Sequence, residues 1–414
     1  MLEILTAVIP QADPLPLPGP PWLLRLLLVV TFFLHTLAMN FVLGGSLFVA
    51  LSRTRGVGVV GVRSWIAKLM PTMVATAVTL GVAALLFAQT LYGRVLFSGS
   101  VIIAWWWLAV IPALIAAYYG TYLLAFRHGR VGRSAATVVA LLFVAIAFVY
   151  VNNMSLMIRP GAFLGLHIAE PRGFSLNFGD PTLAPRFAHM LLSAVAVVGA
   201  VIALYGLTIG GHEPAKAAAV MRQGARWFLG ATALNIVAGI GWVAAMPHPI
   251  RRAFVGGDAA ATASMWIGTL FGLAAFAAMV VAARADRPAS GVRVALWALG
   301  ATIFVMVIAR DQLRVVSLRA AGFRITDWVE PQWGVIAIFL ALFVAGIATT
   351  VWMVSLIARP HVTLAGSPFP MAPSTGEGAR IPIARTAEAP AGAAAAAAHP
   401  VEPPHSEAAD RFEN

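Results

Sequence analysis

The sequence predicts an all-α polytopic membrane protein, and three observations predict it. Sixty per cent of the 414 residues are hydrophobic and only 11% are charged, with a mean hydropathy of +0.86. A soluble domain of this length does not tolerate that balance. Apolar stretches repeatedly exceed the roughly 20 residues that cross a bilayer as a helix. The 28 Lys and Arg, which set the net charge of +12, sit mainly in short segments between those stretches. Topology and lipid headgroups account for them there, and no nucleic-acid partner is expected.

Residues 1–21 carry Glu3, Asp13 and many prolines. Lacking a basic start and a cleavage site, they do not read as a secretory signal but as a short surface segment on the outer side. Residues 22–358 read as one transmembrane helical domain. Length and hydrophobicity draw nine helices in it: Trp22–Leu51, Ser64–Tyr92, Val101–Phe126, Ser134–Ile158, Ala184–Ile209, Met221–Met246, Thr262–Ala283, Val292–Arg310 and Trp333–Ile357. From residue 359 to 414 come prolines, serines, several of the chain's few acids and six consecutive alanines, Ala393 to Ala398. Such a segment buries too little apolar surface to offset its ordering entropy, so a disordered tail is expected. The alanine run is marginal as an isolated helix. With the N-terminus outside, fourteen basic residues of the domain and its borders fall on the inner side and eleven on the outer. That bias favours an outside N-terminus and a cytoplasmic C-terminus.

The chemistry is narrowed by what is missing. The chain has no cysteine, which excludes covalent c-type heme, thiolate-held iron-sulfur clusters and disulfides. Two histidines lie inside apolar helices. His189 follows Pro185 and Arg186 in PRFAHMLLSAVAVVGAV, and His35 lies in RLLLVVTFFLHTLAMNFVLGGSLFVAL with Asn40, Gly44 and Gly45 beyond it. An intramembrane imidazole with no acid in its own helix is expected to be neutral and to need a partner. Neutral imidazole is a good iron ligand. The small residues after His35 would admit either a flat macrocycle or a neighbouring helix. The competing reading of such a histidine is a hydrogen bond to an adjacent helix.

In these stretches the chain resembles subunit I of cytochrome bd-type quinol oxidases. Arg25, His35 ten residues on and Gly44 nine beyond it are similar to the family's first helix. The run Asn152 to Gly199, with NNMSLMIRP and DPTLAPRFAHMLLSAVAVVG, is similar to its fourth-to-fifth helix connection, and Trp65, Lys68, Leu69 and Gly81 fit its second helix. The resemblance is clear over most of the first 210 residues and faint beyond. It implies nine helices, a bacterial cytoplasmic membrane, heme ligation by His35 and, at a low-spin heme b, by His189. It further implies Arg25 at the heme site and a methionine opposite His189: Met265 by order and depth, with Met306 the runner-up. The related oxidases are heterodimers, so a second membrane subunit is expected.

The departures matter as much. The family's oxygen-site glutamates align with Leu85 and Ala109, no carboxylate falls inside any predicted helix, and the family's long quinol loop is reduced to Pro247–Ala261. Within that short connection His248, Arg251 and Arg252 are candidate quinone or propionate contacts, against the reading of a solvated loop. The connection Arg310–Gln332 carries Arg310, Arg314, Arg319 and Arg324 at roughly helical intervals. They would suit heme propionates or an acidic partner, or lipid phosphates if the segment lies in the interface. Trp105 to Trp107 read as interfacial anchors.

The expected function is therefore a heme b subunit, with one to three hemes, that exchanges electrons between membrane quinone and a c-type cytochrome or other redox partner on the outer face. It would be an oxidoreductase subunit. The alternatives are a quinol:oxygen oxidoreductase with altered ligands and a heme-free transporter or structural subunit.

Overall fold

The computed structural model describes residues 15–52, 57–126 and 129–358. The expected tail and most of the N-terminal segment lie outside the described residues. In chain order the helices are α1 (Pro21–Leu51), α2 (Val57–Ile102), α3 (Ala104–Phe126), α4 (Gly129–Met157), α5 (Phe163–Ala169), α6 (Leu183–Ile209), α7 (Pro214–Ala245), α8 (His248–Arg252), α9 (Ala259–Arg284), α10 (Ala289–Ala320) and α11 (Trp333–Ala358). All but α5 and α8 are long and apolar enough to cross a membrane, which makes nine candidate spans among the described residues. Large apolar side chains such as Leu141, Val237, Ile338 and Leu342 are more than 60% exposed. Water would penalise that surface heavily, whereas lipid tails accept it, as the composition requires.

Successive spans alternate in direction, so the bundle has two ends. The first end holds the start of α1, and the second holds the links α1–α2, α3–α4, α6–α7 and α9–α10. At the first end Leu17 pairs with the segment before α11, through Leu17 N–H to Trp328 O (2.9 Å) and Glu330 N–H to Leu17 O (2.9 Å). This bridge between Leu17 and Val329 is the one β feature among the described residues.

Small residues set how closely the spans approach. A Cβ on Gly224 of α7 would lie 2.5 Å from Ala203 N and from Gly199 O, and one on Gly199 of α6 would lie 2.5 Å from Phe228 N. The α6 and α7 backbones therefore touch. Between helices in lipid this close packing supplies the association that the hydrophobic effect cannot. Gly44 plays the same part between α1 and α6, since its Cβ would fall 2.0 Å from Ala194 O. Of the two uses the sequence allowed for Gly44, the space is filled by a helix.

Two boundaries lie ten residues from the sequence reading. The second helix, expected to end at Tyr92, only bends there (φ −129°, ψ 20°) and continues to Ile102. The eighth span, expected to stop at Arg310, runs on to Ala320. The charges that marked its end are neutralised inside the bundle: Asp311 and Arg314 are 6% and 8% exposed. Arg314 donates from Nη1 to Asp311 Oδ1 (3.1 Å), and Arg25 of α1 donates from Nε to Asp311 Oδ2 (3.2 Å) and again from Nη2. A carboxylate does therefore lie in a helix interior, contrary to the sequence reading. Two arginines hold it.

Candidate functional site

The segment before α6 fixes the helix that carries His189. Asp180, 4% exposed, accepts from Thr182 N–H (2.9 Å) and Thr182 Oγ1 (2.8 Å), and so closes the turn that starts α6. Asn177 joins this turn to α4 by donating from Nδ2 to Ser155 Oγ (3.0 Å), and its N–H reaches Asn152 Oδ1 (3.3 Å). Arg159 donates to Asn177 Oδ1 (3.1 Å). The NNMSLMIRP and DPTLAPR motifs are thus parts of one buried polar network. The aromatic loop between them is held on α3, where Trp106 Nε1 donates to Phe174 O (2.9 Å) and Trp105 stacks on Phe174 at 5.7 Å. Trp105 and Trp106 thus hold this loop against α3.

The two intramembrane histidines are held by the same device. His35 of α1 meets Ala77 O of α2 through Nδ1 (2.8 Å). His189 of α6 meets Asn235 O of α7 through Nδ1 (3.3 Å). In each case the residue four positions after the carbonyl is glycine, Gly81 and Gly239. A helical carbonyl points toward residue i+4, so a side chain there would screen it. A Cβ on Gly81 would lie 2.8 Å from the His35 ring, and one on Gly239 would lie 3.2 Å from His189 Nδ1. Each glycine opens a carbonyl to an imidazole.

The tautomer follows from this geometry. A carbonyl oxygen only accepts, so Nδ1 carries the proton in both neutral rings and Nε2 keeps the lone pair. No hydrogen bond to either Nε2 is formed among the described residues. Both histidines make the helix–helix hydrogen bond of the competing reading, and that bond occupies only Nδ1 of each ring. Metal-ligating histidines are commonly oriented in this way by a carbonyl on the distal N–H. The Gly44–Ala194 contact also fixes the register of the two parallel helices. His35 lies nine residues before Gly44 and His189 five before Ala194, so at 1.5 Å per residue the imidazoles are offset by only about 6 Å in depth.

Cations flank both rings. Arg186, one turn before His189, places its guanidinium 5.1 Å from the centre of the Trp242 ring, and Trp242 lies 5.6 Å from the His189 ring. Arg186 Nε and Trp242 Nε1 are buried with no hydrogen-bond partner among the described residues. Arg310 of α10 lies 4.3 Å over Phe32, and Phe32 lies 5.9 Å from His35. Arg310 forms no ion pair among the described residues and is repelled by Arg314 and, less, by Arg186, while Asp180 partly offsets the charge of Arg186. Two half-buried cations that make no direct ion pair among the described residues leave room electrostatically for an anion.

The remaining candidates separate. Met265 and Met306 are both half-buried in one apolar cluster with Trp242, Met246 and Phe254. Met306 packs on α9, where a Cβ on Gly268 would lie 3.3 Å from its sulfur. Arg25 is committed to Asp311, and Arg314 lies inside the bundle beside Tyr92 at 5.1 Å. Arg251 donates to Ala244 O (2.9 Å), while Arg252 and His248 are exposed on the short α8. Of the four arginines at and after the end of α10, Arg319 and Arg324 are exposed, Arg310 is half-buried and Arg314 is buried. Among the described residues no three His, Asp or Glu are grouped to hold a bare metal ion. A macrocycle that supplies its own equatorial nitrogens asks only for one or two axial donors, which single imidazoles with a free Nε2 can provide.

No protein-family model matches the chain, and no curated protein matches it. What the histidines do must therefore be argued from their surroundings. Gly239, Asn235, Trp242 and Asp311 had not been singled out from the sequence. The one signal available was a glycine inside an apolar helix, which does not say what approaches it.

Proposed function

We propose that this chain is a heme b subunit of a bacterial cytoplasmic membrane, with the N-terminus outside and the C-terminus in the cytoplasm. It passes electrons between quinone and a c-type cytochrome or other redox partner at the first end of the bundle. The observation that carries the reading is the paired device at His35 and His189, two imidazoles at similar depth with Nδ1 tied to a carbonyl and Nε2 left as a donor. Bound heme supplies a one-electron carrier whose potential the protein tunes. His35 and His189 would hold the iron through Nε2, and Met265 or Met306 would be the further ligand to the iron held by His189. Arg186 and Arg310 meet the negative charge that heme side chains bring. The resemblance of the first 210 residues to cytochrome bd-type oxidase subunit I points the same way, as does the separation of Leu85 and Ala109 from any acid role.

The test is heme stoichiometry in purified variants. His189→Ala is expected to lose one low-spin heme and His35→Ala a different one, each leaving the other's spectrum. Full heme content and unchanged spectra in both variants would refute the assignment.

A further inference from the structure

The second end of the bundle carries a site that has no part in the heme reading. Along the first half of α7, Lys216, Val220, Gln223 and Trp227 recur every three or four residues, with Arg226 beside Trp227. They line one open groove of about 570 Å³ together with Ala219 and Arg222. Lys216 is partly committed to Glu213 (2.9 Å). Arg222 is half-buried and Arg226 exposed, and neither meets a carboxylate among the described residues. Trp227 closes the membrane side of the groove, held edge-on to Phe48 of α1 at 5.1 Å. The same face of α7 then continues as Gly230, Ala233, Leu234 and Val237, all exposed, with Leu234 at 61% and Val237 at 67%.

We propose that this groove binds the headgroup of an anionic glycerophospholipid. The phosphate is taken by Arg222 and Arg226, with Lys216 at its rim. An acyl chain runs down the strip that begins at Gly230, where the missing side chain leaves room beside the helix. Two guanidinium groups a turn apart suit a phosphate oxygen pair. An indole at the junction of the polar and apolar parts marks the depth of the headgroup layer. A water-soluble anion would satisfy the arginines but would leave the apolar strip without a role. The fit of charge above and chain below therefore selects a lipid, and basic recesses beside transmembrane helices are known to hold such headgroups.

The experiment is a titration of the purified full-length protein in detergent with palmitoyl-oleoyl phosphatidylglycerol or phosphatidylcholine, read by native mass spectrometry. The wild type is expected to retain phosphatidylglycerol preferentially. Arg222→Gln with Arg226→Gln should weaken that binding about tenfold and leave phosphatidylcholine unchanged. Arg226→Gln alone, at an exposed position, should weaken it in the same direction even if the double variant does not fold. Arg284→Gln with Arg293→Gln, at the same end but outside the groove, should behave as wild type. Equal phosphatidylglycerol binding in the groove variants, or equal loss in the comparison variant, overturns the proposal. Thermal stabilisation of the wild type by inorganic phosphate as large as that by phosphatidylglycerol would also overturn it, by assigning the groove to a free anion.

Discussion

Two carbonyl oxygens, of Ala77 and Asn235, decide how the intramembrane histidines are used. Each histidine was conspicuous in the sequence, because an imidazole inside an apolar run has few neutral explanations. Its partner was not, because the acceptor is a backbone atom on another helix and only the glycine four residues later betrays it. The device makes a graded prediction. Gly81→Ala places a methyl 2.8 Å from the His35 ring, a distance that ring cannot accept without leaving Ala77 O, whereas Gly239→Ala places one 3.2 Å from His189 Nδ1. Heme content and redox midpoint should therefore change more in Gly81→Ala, and the change should be confined to the His35 site. Equal, global loss in both variants would show that the glycines serve packing alone.

At the scale of elements, hydrophobic length located every span but stopped α10 short where charge is paired. The α10 boundary shows why. Arg310 and Asp311 look like the edge of the membrane in one dimension, yet Asp311 is neutralised by Arg314 on its own helix and by Arg25 on α1. A sequence reveals the charges but not the pairing across 286 positions. Breaking a buried pair by removing one partner leaves the other charge stranded, at a cost of about 3–5 kcal/mol. Asp311→Ala is expected to lower stability by that order, measured as the unfolding midpoint in detergent. Arg319→Ala serves as the contrast, because its ion pair with Asp258 spans 3.9 Å and its side chain is 71% exposed. Such surface pairs are worth about 0–1 kcal/mol. Equal midpoints for the two variants would contradict the clamp.

For the whole molecule, composition alone decided the fold class, since a chain this apolar must be solvated by lipid. The close approach of α6 to α7 through Gly199 and Gly224 was not legible, because any of the 37 glycines could have been the contact point. The bundle as built contains a pair of imidazole donors, flanking arginines and, at Asp311, a carboxylate clamped by two arginines. On the proposed resemblance, the oxygen-site acids of the oxidases would fall at Leu85 and Ala109. That combination suits electron transfer between enclosed hemes better than reduction of oxygen, which needs a proton path to an open iron. The most direct test is a dithionite-reduced minus oxidised visible spectrum of the purified protein, repeated under carbon monoxide. The account predicts heme b bands that carbon monoxide leaves unchanged. A carbon monoxide-shifted band would indicate an open iron and an oxidase, and a protein without heme bands would contradict the account entirely.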